Sequence, residues 1–326
     1  MTDRTTKTRA RTRGFRAGDG PQLVAAWCRA APADPVTPDR FRSTVLLDAN
    51  FDPEGLRIAV DGDRVVGAAY AVRRLTPMSG TDLEPEQGWI PFFFVDPAAR
   101  GRGLGRELLT DALDWLHGHG RTRVDFSSYT PNYVLPGLDG AAYPEAAGLL
   151  ESLGFRTLYE AAAMDRCLVG YRLPDDVARR FDELTARGHR FATPADDDLV
   201  ELLALAGQRF SPDWARAIRD CLAVGTPLDR IVVARDPAGR LAGWAMHGAY
   251  GSTDERFGPF GVLAELRGAG LGKVLLHLVL ERMRARGAHS AWFLWTGERS
   301  PAGRLYHTAG FTTTRVFRVM RRETAR

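Results

Sequence analysis

The chain has 326 residues, 44% apolar and 26% charged, which is a globular composition and a length for two domains of about 150 residues rather than one. No apolar run approaches the roughly 18 residues of a membrane span, and none follows the basic start, so the expectation is a cytoplasmic protein with neither a secretory signal nor a lipid anchor. The net charge of +4 does not argue for nucleic acid, because residues 1–16 carry about +5 and leave the remainder near −1.

In chain order, residues 1–13 read as a basic disordered leader. A helix pair follows, then a turn into a strand at 63–71 (DRVVGAAYA) and a buried strand at 90–95 (IPFFFV). A glycine turn, RGRGLG at 100–105, opens an amphipathic helix on which Leu104, Leu108, Leu109, Ala112, Leu113 and Leu116 recur with helical spacing. The next strand is RVDFSS at 123–128, followed by a stretch rich in aromatic and turn residues and by LGF at 153–155. Residues 169–189 form a charged, helix-prone connector whose Val177, Phe181 and Leu184 predict a packed face. The order then repeats: GRLAGWAMH at 239–247, FGPFGVL at 257–263, RGAGLG at 267–272, and a helix carrying Leu271, Leu275, Leu276, Val279, Leu280 and Met283. SAWFLW at 290–295 and AGF at 309–311 complete it. One α/β unit is therefore written twice, with expected domains at 14–168 and 190–326.

The spacing differs between copies. Gly67 to Arg100 is 33 positions where Gly243 to Arg267 is 24, and Arg100 to Gly154 is 54 where Arg267 to Gly310 is 43. The first copy thus carries two insertions of about ten residues, which belong in loops. Cys28, Cys167 and Cys221 are scattered and odd in number, which argues against a disulfide framework or a zinc site, and no metal is expected.

A strand entering RGxGxG and then a helix presents several backbone N–H groups at a helix N-terminus, an anion site suited to pyrophosphate. A dinucleotide fingerprint would need glycine at Arg106 or Lys273, and a P-loop would need Ser or Thr where Val274 stands. Each half resembles the GCN5-related N-acetyltransferase (GNAT) family, whose acyl-CoA signature is Gln/Arg-x-x-Gly-x-Gly/Ala. Arg100, Gly103 and Gly105 match it in the first half, and Arg267, Gly270 and Gly272 in the second. The resemblance implies two tandem α/β domains, each a mixed, splayed sheet flanked by helices, with acetyl-CoA as acyl donor. Its pyrophosphate would rest on Arg100, Gly101, Arg102, Gly103, Gly105 and Arg106, or on Arg267, Gly268, Ala269, Gly270, Leu271, Gly272 and Lys273, with Val262 and Leu263 beside the pantetheine arm.

By the same resemblance the second copy is the better candidate for catalysis. Tyr306, in LYHTAGF at 305–311, matches the family tyrosine that protonates the departing thiolate, and the first copy has Leu150 there. Val262 would offer its backbone N–H to the thioester oxygen. Glu255 is the expected general base, with Asp254, His247 and Glu298 as weaker candidates. The stretch at 129–144 (YTPNYVLPGLDGAAYP) suits either a brace or a sugar-binding surface, with Asn132, Tyr133 and Asp139 holding substrate. It is similar to one in tandem glucosamine N-acetyltransferases, and the layout resembles the mycothiol synthases. Both classes act on an amine on or near an aminosugar, so the expected partner is a small-molecule amine, with neither nucleic acid nor membrane, for a monomer or homodimer. Protein N-acetylation and a non-catalytic acyl-CoA sensor remain the competing readings, and Tyr306 speaks against the second.

Overall fold

Both halves lay down strands, a glycine turn, a long helix, a strand, a short helix and a last strand, as their repeated pattern predicts. The computed structural model describes residues 10–78, 80–251 and 253–324. Its elements begin with β1 (Arg11–Gly14), α1 (Asp19–Ala30), α2 (Pro38–Phe41), β2 (Leu56–Asp61), β3 (Arg64–Val72), β4 (Gln87–Val95) and α3 (Leu104–Gly118). β5 (Arg123–Phe126), α4 (Pro144–Ser152), β6 (Arg156–Cys167), α5 (Asp175–Ala186), β7 (Arg190–Ala192), α6 (Leu199–Arg209) and α7 (Pro212–Ala223) follow. The chain ends with β8 (Ile231–Arg235), β9 (Leu241–His247), β10 (Phe257–Val262), α8 (Leu271–Ala285), β11 (Ser290–Thr296), α9 (Pro301–Thr308) and β12 (Thr312–Glu323). No helix among the described residues is long and apolar enough to cross a membrane.

The chain forms two compact units whose boundaries differ from those expected at 14–168 and 190–326. The first comprises Met1–Pro77, Asp82–Glu160 and Phe317–Arg326, and the second Met78–Thr81 and Ala161–Val316. The physical reason lies in strand pairing. In the first unit β5 takes its antiparallel neighbour from the end of the chain, with Met320 opposite Phe126 and Glu323 opposite Arg123. In the second, β11 pairs with the far part of β6, Phe293 opposite Met164 and Ser290 opposite Cys167. Each unit is completed by a strand from the other half of the sequence.

In the first unit β1, β2, β3 and β4 run antiparallel in that order, and β5 joins β4 in parallel. β3 alternates across the sheet, sending Ala68, Tyr70 and Val72 to the core under α1 and Val66, Ala69 and Ala71 to the core under α3. The six leucine and alanine positions predicted for α3 are its six buried residues. The first strand begins inside the stretch expected as leader. Arg11–Gly14 pair with β2, Thr12 donates to Asp111 at 2.6 Å, and Arg13 bridges Asp19 at 2.6 Å. Residues 1–9 lie outside the described residues.

In the second unit β10, β9, β8 and β7 form an antiparallel sheet. α6 and α7 cover one face through Trp244, Met246 and Ile231, and α5, α8 and α9 cover the other through Ala242, Ala245 and Phe257. The connector is helical as expected, and Val177 and Leu184 bury into the core beneath α8.

Candidate active site

Each sheet splits where a proline interrupts a strand. Between the pairs Tyr70–Phe92 and Val72–Trp89, β4 fits Ile90 and Pro91 against the single Ala71 of β3. Between Phe257–His247 and Phe260–Ala245, β10 fits Gly258 and Pro259 against Met246. Proline supplies no N–H and is confined within sheets to such bulges and to edges, and a bulge re-aims the strand beyond it. Ile90 pairs with Phe126 and its carbonyl accepts the Ser127 amide at 2.8 Å; beyond this point β4 and β5 diverge. In the second unit a backbone bridge beside β10 and β11 joins Arg256 and Trp292, and the Trp292 amide donates to the Glu255 carbonyl at 3.0 Å. The splayed sheet expected of both halves is present in both.

The two forks hold different things. In the first unit the fork opens into a cavity of about 1040 Å³, walled by Phe92, Phe93 and Phe94 of β4, Phe126 at the end of β5 and Ser127 after it, the turn at 30–34 and the start of α4. Gly101, Gly103, Gly105 and Arg106 form one end of the same cavity. Ser127, in the cavity wall, and its neighbour Ser128 have φ of 60° and 43°, a backbone region unfavourable for non-glycine residues and found disproportionately at functional sites. In the second unit Tyr306 crosses the fork. Its ring lies 4.4 Å from Phe293 on β11, 6.1 and 6.2 Å from Phe257 and Phe260 on β10, and 5.6 Å from Phe311.

The glycine loops differ in the same direction. Gly101 and Gly103 have φ of 75° and 80°, Gly268 and Gly270 of 85° and 92°, so all four adopt the left-handed region that glycine tolerates. A Cβ built on Gly103 would meet nothing within 4 Å, whereas one on Gly270 would lie 2.9 Å from Cδ of Arg180. Arg180 belongs to α5, where it pairs with Glu183 at 2.8 Å. One turn earlier on α5, Asp176 forms an ion pair with Lys273, in the first turn of α8. A helix N-terminus attracts anions through its free amides and dipole. In the second unit Asp176 holds the lysine of that turn, and the Arg180 stem lies on the loop.

The signature arginines donate to backbone carbonyls in both copies. Arg100 donates from Nε to the Val95 carbonyl at 3.2 Å and from Nη2 to the Ala30 carbonyl at 2.9 Å, and Arg267 donates to the Val262 carbonyl at 3.3 Å. Each ties the strand end to the loop. Arg102 faces Asp61 at 3.5 Å, and Arg106 donates to Ser152 at 2.7 Å. Val262 ends β10 opposite Gly243, and the next amide, of Leu263, is committed to the Ala242 carbonyl at 3.0 Å.

The predicted acid and base are not brought together as a pair. Tyr306 is buried, which pushes its phenol up, and its hydroxyl makes no hydrogen bond among the described residues. Glu255 accepts from Ser290 Oγ at 2.7 Å and from the amides of His289 and Ser290 at 2.8 and 3.1 Å. Those bonds hold its carboxyl below the usual range, which fits a clamp on the start of β11 better than a proton acceptor. Asp254 pairs with Arg230 at 2.6 Å, and its carbonyl lies 2.7 Å from His247 Nδ1. Burial pushes the His247 imidazole down. Glu298 accepts from Thr313 at 2.6 Å.

The predicted substrate residues also separate. Asn132 donates to Asp48 at 2.7 Å, and Tyr129 bonds Asp48 and Asn50 at 3.1 and 2.6 Å, so this end of the insertion is a brace within the first unit. Tyr133 is half-buried and outside the cavity wall. Asp139 is in the wall, but one carboxylate oxygen accepts the Ala141 and Ala142 amides, both at 3.0 Å, and shapes the turn before α4. Asp34 and Tyr143 were missed as site residues. Both line the cavity, and the Tyr143 hydroxyl donates to Asp34 Oδ2 at 2.6 Å. An aromatic residue before the helix-opening Pro144 marks Tyr143 in the sequence; nothing there marks Asp34.

Residues 22–133 and 196–311 match the family described as Acetyltransferase (GNAT) family. A mycothiol acetyltransferase of Clavibacter michiganensis is 28% identical over 308 residues, covering 88% of this chain and 86% of its own. The glucosamine N-acetyltransferase region of a fungal multi-domain β-N-acetylglucosaminidase superposes with a TM-score of 0.80 at 19% identity, over 96% of this chain and 38% of that one. A tandem protein of the same fold from the clavulanic acid pathway superposes at 0.64 and 17% identity, over 98% and 99%.

Proposed function

The chain belongs to the acetyltransferase (GNAT) family, and we propose that it moves an acetyl group from acetyl-CoA to the primary amine of an aminosugar-type small molecule, with the donor seated in the first unit. The observation that carries this reading is the 1040 Å³ cavity running from the open glycine loop into the fork of β4 and β5. Its volume lies at the upper end for small-molecule sites, as a long donor plus an acceptor requires. Gly101, Gly103 and the first amides of α3 suit pyrophosphate, and the apolar walls of Phe92, Phe93 and Phe126 suit a pantetheine arm. On this reading the donor sits in the copy opposite to the one the tyrosine motif favours.

The reaction forms a C–N bond and breaks a C–S bond. The amine attacks as a free base, the tetrahedral oxygen gathers charge, and collapse releases a thiolate that takes a proton. The name shared by relatives that span nearly the whole chain supports a small acceptor over a protein. Thiol release from acetyl-CoA against glucosamine derivatives, aminoglycosides, polyamines and peptides tests the reading. Turnover is expected with aminosugars, and preference for peptides would overturn it.

A further inference from the structure

Release of a thiolate in the first unit needs a proton donor, and the copy lacks one at Leu150, which is fully buried in the core. Among the residues lining the cavity there is no His, Lys or Cys, and Tyr143 has the one phenol. The other hydroxyl in the wall, on Ser127, is committed to the Leu135 carbonyl. Arg29 is held by Asp96 at 2.8 Å, and Arg100 by two carbonyls. The Tyr143 ring packs against the core beneath α3 and α4, while its hydroxyl reaches Asp34, in the turn after α1 on the other side of the fork. The pair is 109 positions apart in sequence and joins the two walls of the cavity with a bond of 2.6 Å.

The geometry points to Tyr143 and Asp34 as the proton route of the transfer. This rests on the reading that the first unit seats the donor. The amine nitrogen attacks the thioester carbon and, once bonded, loses a proton to the Asp34 carboxylate. The C–S bond breaks, and the sulfur takes the Tyr143 hydroxyl proton. The phenolate then recovers a proton from the carboxylic acid of Asp34 along the bond that already joins them. The net change is one proton moved from nitrogen to sulfur, with both side chains restored. Tyr143 is the acid and Asp34 the base, and an ionised Asp34 also draws an ammonium substrate into the cavity.

Thiol release from acetyl-CoA by the full chain, with glucosamine as probe acceptor and with water alone, tests this route. Tyr143→Phe keeps the ring and should lower kcat about 100-fold, with the acetyl-CoA Kd unchanged within twofold. Asp34→Asn still accepts from the phenol, so it should keep the fold and the acetyl-CoA Kd while kcat falls by a similar factor. A Tyr143→Phe rate within threefold of the parent, or a rate lost only in proportion to Kd, would overturn the route. Calorimetry with Gly103→Asp separates the two ideas. If acetyl-CoA still binds that variant, the donor site itself is misplaced; if binding is lost while Tyr143→Phe turns over normally, only the proton route falls.

Discussion

The two glycine loops began as the same device and now differ in what lies on them. Gly103 faces open space at the end of a large cavity, while Gly270 carries the stem of Arg180 and sits beside the pair of Asp176 with Lys273. The forks repeat the contrast, one a cavity and the other crossed by Tyr306 among four phenylalanine rings. A signature motif therefore reports that a loop has the backbone to hold pyrophosphate, and the neighbouring helix decides whether it is free to do so.

The contrast can be broken at several points. The largest effect is expected from ending the chain after Val316, which removes the antiparallel partner of β5 and the buried Met320 from the first unit. That truncation should abolish acetyl-CoA binding and the calorimetric transition of the first unit, whereas a binding-competent truncated chain would show the borrowed strand to be dispensable. Next comes Tyr306. If its ring is a packing element of the second fork, Tyr306→Ala should cost about 3–5 kcal/mol of second-unit stability in denaturant unfolding. Tyr306→Phe should leave kcat within about threefold, and a loss near 100-fold would return the chemistry to the second unit.

A smaller effect belongs to His277 on α8, whose Nδ1 is 2.8 Å from the Tyr171 hydroxyl. Burial, helped by the charges of Arg166 and Lys273, pushes its imidazole down from 6.5 to about 4. The neutral form is thus favoured by folding, so its contribution is fully present above pH 6.5 and is lost as pH falls through about 4. The second unit should lose on the order of 2 kcal/mol across that window, read by thermal unfolding at a series of pH values. His277→Gln should flatten the slope, and an unchanged slope would assign the acid sensitivity elsewhere.

Much of the architecture was legible in the residues. Helical spacing named the buried face of α3 and most of that of α8, to which the structure adds Val274 and His277. Ser300 caps α9 by accepting the Gly303 amide at 3.1 Å, as a serine before Pro301 predicts. The exchange of final strands was not legible, because period-two alternation says which face a residue occupies and nothing about which strand lies alongside. The same limit hid Arg180: its helix was visible and its buried face correct, but its approach to a loop 90 positions away follows from tertiary packing. Glu255 shows the converse, since a carboxylate in the expected place is spent on the amides of the next strand.

The central claim is that the first unit alone seats acetyl-CoA, and titration calorimetry of the full chain and two variants tests it most directly. Asp at position 103 puts a carboxylate against the pyrophosphate, and at position 270 it meets the already covered loop beside Arg180. We expect one acetyl-CoA per chain, a Kd raised more than about 100-fold by Gly103→Asp, and a change within about threefold for Gly270→Asp. Two equivalents bound per chain, or a Kd that collapses with Gly270→Asp and survives Gly103→Asp, would contradict the account.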